Sequence, residues 1–190
     1  MREEQQFSIN FREATIADVL EVAKVHVQSW RESFSGIVPQ TFLDKMSVEN
    51  RANAFEKGFS QNFYKMFVAE TKENGIVGFA DFGKNRHINS QYEAELYSIY
   101  LSPDFQRKGI GSKLFDLGVQ YLLSNRMYSL SLITLEISPF KSFYEKIGGH
   151  IVERGITSIE GVSYSTVVYG WDKLIVFNKK GGYLQYPAPA

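Results

Sequence analysis

The chain has no cysteine among its 190 residues. That excludes disulfides, thiolate-bound metal and any cysteine relay for an acyl group. Neither charge is in excess: 21 Lys and Arg stand against 21 Asp and Glu. A nucleic-acid partner is therefore disfavoured, because such domains carry a basic surplus. No apolar run reaches the length of a membrane span, and Met1–Gln6 carries acids where a secretory leader needs an apolar core. His26, His87 and His150 are scattered without ligand spacing, so no metal site is expected and each reads as a surface or structural residue. What remains is 44% hydrophobic, enough for one domain with a full core, and a cytoplasmic protein is the simplest reading.

What the chain does have is concentrated in one stretch. Glu95–Leu101 reads as an apolar strand, Ser102-Pro103-Asp104 as a turn, and Gln106-Arg107-Lys108-Gly109-Ile110-Gly111 opens into a helix. Ile110, Leu114, Leu117 and Tyr121 recur at the spacing of one helical face. A glycine-bearing loop at a helix N-terminus leaves unpaired N–H groups at the positive end of the dipole, which favours phosphate. Arg107 and Lys108 add cationic side chains, and glycine at 109 and 111 lets an anion approach the backbone. Taken alone, the loop also fits an ordinary glycine-softened turn. Generic phosphate motifs fit badly. A P-loop needs Gly-Lys-Ser/Thr where Gly111-Ser112-Lys113 stands, and a dinucleotide fingerprint needs glycine in place of Leu114.

Gln106–Gly111 resembles the Gln/Arg-x-x-Gly-x-Gly/Ala motif of the GNAT superfamily of N-acetyltransferases, which holds the pyrophosphate of acetyl-CoA. A second motif follows in the family's order. The apolar run Leu132–Ile137 leads into Ser138-Pro139-Phe140-Lys141-Ser142-Phe143-Tyr144-Glu145-Lys146-Ile147-Gly148-Gly149, similar to the family's Asn-Pro-x-x-x-Phe-Tyr-x-x-Leu-Gly-Gly. Ser138 replaces the usual asparagine, which helps anchor the cofactor, with a shorter hydroxyl. The stretch Gly149–Trp171 resembles the closing strand pair, and Trp30–Phe34 fits the early segment, so the resemblance spans nearly the whole chain. It implies an α/β (α+β) fold: a mixed, mostly antiparallel sheet of about seven strands, flanking helices and a splayed cofactor-binding strand pair. Residues 1–177 are expected to form this single domain. Residues 178–190, rich in Gly, Pro and Lys, are expected to form a C-terminal tail, loose or packed on a partner; a homodimer is compatible with this.

Elsewhere, Phe7–Arg12 reads as a short strand. Thr15 or Asp18 caps a helix striped by Ile16, Leu20, Ala23 and Val27, and Gly36–Pro39 ends it. A second helical region runs through Phe42, Leu43 and Met46 and on from Ala52 to Phe59. Phe63–Glu70 and Ile76–Phe82 form a hairpin about Glu73-Asn74-Gly75, and two late strands turn at Glu160-Gly161.

The resemblance implies acetyl transfer from acetyl-CoA, as co-substrate, directly to a primary amine. An amine of pKa near 10.4 is neutral in about one molecule in two thousand at pH 7, so a base is needed. Glu95 lies where some family members carry it; a solvated strand-end glutamate fits equally well. Tyr97 shares its face if no bulge intervenes. Tyr144 matches the family tyrosine that donates to the CoA sulfur, although an aromatic beside Phe140 and Phe143 also suits a core. The resemblance assigns cofactor contacts to Ile99, Tyr100 and Leu101, with Ile99 polarising the carbonyl. It adds Gln106, Arg107, Lys108, Gly109, Ile110, Gly111 and Ser112, and then Ser138, Lys141 and Phe143. An acceptor pocket is expected between Trp30–Val38 and Ile159–Tyr164, lined by Trp30, Phe34, Tyr97 and Tyr164, with Glu32 or Glu160 attracting a cation. Polyamines, amino acids, aminoglycosides, peptide N-termini and lysines all remain open as acceptors. A small-molecule acceptor such as a polyamine, amino acid or aminoglycoside is expected; a protein or peptide N-terminal or lysine acetyltransferase and a non-catalytic acyl-CoA-binding module are the two alternatives.

Overall fold

In the computed structural model, residues 8–87, 90–174, 176–177 and 183–184 are described. The chain runs β1 (Asn10–Glu13), α1 (Val19–Ser33), α2 (Gln40–Lys45), α3 (Val48–Ser60), β2 (Tyr64–Thr71) and β3 (Gly75–Lys84). Then come β4 (Ala94–Leu101), α4 (Ile110–Ser124), β5 (Leu130–Leu135), α5 (Lys141–Lys146), β6 (His150–Ile159) and β7 (Val162–Trp171). A separate ladder pairs β8 (Val176–Phe177) with β9 (Tyr183–Leu184). The rest of the expected tail, and Phe7 of the expected first strand, lie outside the described residues.

The central sheet has seven strands in the order β1-β2-β3-β4-β5-β7-β6. Every neighbouring pair is antiparallel except β4–β5, which is parallel. That one pair is registered only at Ala94↔Leu130 and Glu95↔Ser131. Beyond it the two strands part, so the expected splay is present.

Helices cover both faces. On one, α1 and α3 lay Val22, Ala23, Val25, Ala52 and Phe55 over Met66, Val68, Ile76 and Phe79. On the other, α4 packs Ile110, Leu114, Phe115 and Val119 against Ala80, Phe82, Ala94 and Leu96. The buried stripe of α4 is rotated from the one the spacing predicts. Phe115, Val119, Leu122 and Leu123 are buried, whereas Leu117 and Tyr121 lie half-buried on its flank. The second helical region divides at Met46, whose backbone is extended, and Ser47 caps the new helix by accepting from Asn50 N–H at 3.2 Å. β5 stops at Leu135, earlier than expected, and leaves Ile137 exposed.

Candidate active site

Strand β4 carries a bulge. Asp81 pairs with Ser98 and Phe82 with Leu96, so Tyr97 is the extra residue. An unbroken strand would send odd and even residues to opposite faces. The bulge switches that parity, and Tyr97, Ser98 and Tyr100 all line one cavity beneath α1 and α3. Its volume is about 1130 Å³, and its wall reaches across the splay to Ile133 of β5. The opposite parity, Ile99 and Leu101, packs towards the α4 core.

Beyond Glu95 the β4 edge at the splay has no strand partner among the described residues. Ser102 N–H donates to Val77 O of β3 at 2.9 Å. Antiparallel alternation then turns the N–H groups of Ile99 and Leu101 to the other edge, which β5 has left. Leu101 C=O lies on that edge too, accepting from Gln106 Nε2 and Ser29 Oγ, both at 3.2 Å. Gln106 thereby fastens the loop to the end of the strand.

In the loop, Arg107 and Gly109 have φ of +58° and +80°. Lys113 N–H closes the first turn of α4 on Gly109 C=O at 3.1 Å, which leaves the N–H groups of Ile110, Gly111 and Ser112 without a partner inside the helix. A Cβ at Gly109 would meet nothing within 4 Å, so the approach to these donors is open. Arg107 and Lys108 are exposed beside it, with the Lys108 ammonium 5.5 Å from the Phe105 ring centre. Ile110 is buried and offers the site only its backbone. Phe143 borders the loop, its ring 3.3 Å from where a Gly111 Cβ would stand, and Lys141 is half-buried at the start of the same helix. Ser138 is buried, and its hydroxyl accepts from Phe140 N–H at 3.3 Å, a local turn contact. The residues present fit a diphosphate at the loop and an extended thioester arm along the splay.

Glu95 is 2% exposed and held by one residue. Arg86 donates to its Oε2 from Nε at 3.0 Å and from its backbone N–H at 3.2 Å, and forms an ion pair from Nη2 to Oε1. The same guanidinium lies 4.1 Å above the Tyr97 ring, whose hydroxyl donates to Lys84 C=O at 2.6 Å. Burial pushes the Tyr97 phenol up to about 12. Trp30 lines the cavity and its indole donates to the Tyr100 hydroxyl at 2.8 Å.

Phe34 and Tyr164 take another place. Phe34 is buried with Val38, Leu43 and Leu135, and Tyr164 packs on that cluster with its hydroxyl donating to Ile37 C=O at 3.2 Å. Neither lines the cavity. Glu160 is engaged by Lys45 at 2.6 Å and by Thr41, and Glu32 accepts from Gln28 at 2.8 Å. Tyr144 is buried in the α4-side core, 5.4 Å from the Tyr169 ring, and burial raises its phenol. Its hydroxyl makes no hydrogen bond among the described residues.

The most informative residue was not singled out in the sequence. Asp81 is a buried carboxylate on β3 that lines the cavity, with Ser98 donating to its Oδ1. Burial raises it to about 7, and the Ser98 hydrogen bond and the Arg86 charge hold it from rising further. An acid inside the run Phe79-Ala80-Asp81-Phe82 is a signal of its own, because apolar strands admit a carboxylate at a cost in desolvation. His26 also lines the cavity, and burial and Arg51 hold its imidazole down to about 3. Among the described residues no cluster of three or more His, Cys, Asp or Glu is arranged to hold a metal, and no helix is long and apolar enough to cross a membrane.

The family model for the Acetyltransferase (GNAT) family matches residues 27–148. YuaI of Bacillus subtilis (strain 168), an uncharacterised N-acetyltransferase, is 33% identical over 166 residues, covering 87% of this chain and 94% of that protein. Spermidine N(1)-acetyltransferase of Thermoplasma acidophilum is 27% identical over 112 residues, 56% of this chain and 66% of that protein. Among solved structures, yncA from Salmonella typhimurium with its cofactor acetyl-CoA aligns at a TM-score of 0.67 and 17% identity, covering 96% of this chain and 98% of that one. The chain belongs to the GNAT acetyltransferase family. It is an acyltransferase of the N-acetyltransferase type.

Proposed function

We propose that the acetyl group passes directly from acetyl-CoA to a primary amine of a small molecule held in the cavity under α1 and α3. The observation that carries this reading is a single buried carboxylate, Asp81, in a cavity of about 1130 Å³ walled from both splayed strands. An acid this deeply buried is reached by the amine of a small acceptor that enters the cavity. The similarity to a spermidine acetyltransferase keeps polyamines within the class, with amino acids and aminoglycosides beside them. Bound acetyl-CoA supplies an activated acyl group; binding, orientation and proton transfer fall to the chain. The N–H groups at the start of α4 hold diphosphate, and Gln106 keeps their loop against β4. The Ile99 N–H, on the unpaired edge, donates to the thioester oxygen as charge develops there.

Asp81 takes the amine proton in this reading. It is the acid exposed to the cavity, and a base poised near 7 is matched to neutral operation. Glu95, the residue expected in that role, has its carboxylate spent on Arg86; we assign it to positioning Arg86 over Tyr97. Tyr144 protonates the leaving sulfur with a hydroxyl that has no other partner among the described residues. Tyr144→Phe keeps the ring and removes the proton, so kcat should fall roughly ten- to a thousandfold with thermal stability and acetyl-CoA affinity little changed. A variant that melts early yet turns over normally when folded would make the residue core alone. The reading as a whole is tested by CoA release across a panel of amines and peptides, where silence with every acceptor favours a binding module.

A further inference from the structure

Arg51 stands on α3 and lines the same cavity. The residue is half-buried, and its guanidinium has neither a hydrogen-bond nor an ion-pair partner among the described residues; it lies 5.8 Å from the centre of the Phe55 ring. Arginine is the side chain best matched to a planar oxyanion, which it grips through two parallel N–H groups. Its charge reaches Asp81, His26 and Tyr100 across the cavity. The cavity therefore has two poles: on the helix side a guanidinium without a partner among the described residues, and on the sheet side a carboxylate. Lys57 and Lys84 also line it, and Arg86 is already neutralised by Glu95. A polyamine, carrying several positive charges, would meet more cations than acids here.

We infer that the acceptor is an amine that also bears an oxyanion, as an amino acid does, with Arg51 gripping the oxyanion and the amine turned to Asp81. This rests on the acetyl-transfer reading above and narrows its acceptor. Aromatic walls formed by Trp30, Phe55, Tyr64 and Tyr97 surround the span between the poles, so apolar or aromatic side chains have a place to pack.

The test compares initial rates for amino acids, their decarboxylated amines, aminoalkylphosphonate analogues and spermidine, with native enzyme, Arg51→Gln and Arg51→Lys. Carboxylate- or phosphonate-bearing amines should be preferred, and the ranking of those two arms identifies which oxyanion is read. Arg51→Gln should raise KM for them roughly ten- to a hundredfold and leave KM for the decarboxylated partner within about twofold. Arg51→Lys should recover part of the loss, and KM for acetyl-CoA should not move. Spermidine or decarboxylated amines used as well as their oxyanion-bearing parents would overturn the inference while leaving the N-acetyltransferase reading intact. An equal KM rise for both kinds of amine in Arg51→Gln would do the same. Silence with every amine would overturn both.

Discussion

Asp81→Asn should lower kcat/KM on the order of a hundred- to a thousandfold, with acetyl-CoA affinity little changed. In the native enzyme kcat/KM should fall as pH drops through about 7, where Asp81 takes up its proton; the variant should lack that limb. Stability should move the other way. The carboxyl titrates near 3.8 when unfolded and near 7 when folded, so between those values the folded state holds one more proton. Its contribution is complete below the lower value and is lost as pH rises through the upper one. At pH 8 the ionised native carboxylate costs at most about 4 kcal/mol relative to low pH, and Asp81→Asn relieves that. The variant should thus be slower and, at pH 8, more stable. Glu95→Gln is the companion measurement. It should disturb Arg86 and Tyr97 and keep the acid limb; loss of the limb in Glu95→Gln, with its survival in Asp81→Asn, would return the base to Glu95.

Gly109→Leu should abolish acetyl-CoA binding, at least a hundredfold by calorimetry. The position has φ of +80°, so a side chain there adds backbone strain of about 1–2 kcal/mol. It would also stand where nothing within 4 Å now blocks the N–H groups of α4. Gly111 is the poorer site for the same test. A Cβ there meets Leu101 and Phe143 at 3.3 Å, so a bulky residue would disturb packing and binding together. A folded Gly109→Leu that binds acetyl-CoA with native affinity would remove the diphosphate from this loop.

The glycine loop and the start of α4 were legible in the sequence because their signals are local: glycines, a helix stripe and a flanking glutamine within a few residues. The mostly antiparallel sheet and its splay followed from the family resemblance, which two motifs in the family's order carried, whereas the order of the strands across the sheet was not read. Asp81 was not legible. It sits in an apolar strand, and only the register with Ser98 and the cavity above it give its carboxylate a task. The parity switch at Tyr97 is equally hidden, because a bulge is a property of two strands and neither one's residues announce it. Arg51 reads in the sequence as a solvated charge on an amphipathic helix. That it has no counter-ion among the described residues appears once α3 is laid across the sheet. Phe34 and Tyr164 misled for the converse reason: aromatics near a pocket and aromatics in a neighbouring core carry the same signature.

Direct passage of the acetyl group between two substrates bound together is the central claim, and a chain without cysteine has no thiol to carry it in between. Initial velocities with acetyl-CoA and the preferred amine both varied test this most directly. Intersecting reciprocal plots, with no acetylated protein by intact mass after acetyl-CoA alone, are the predicted result. Parallel plots, together with a mass gain of one acetyl group on the protein, would contradict it.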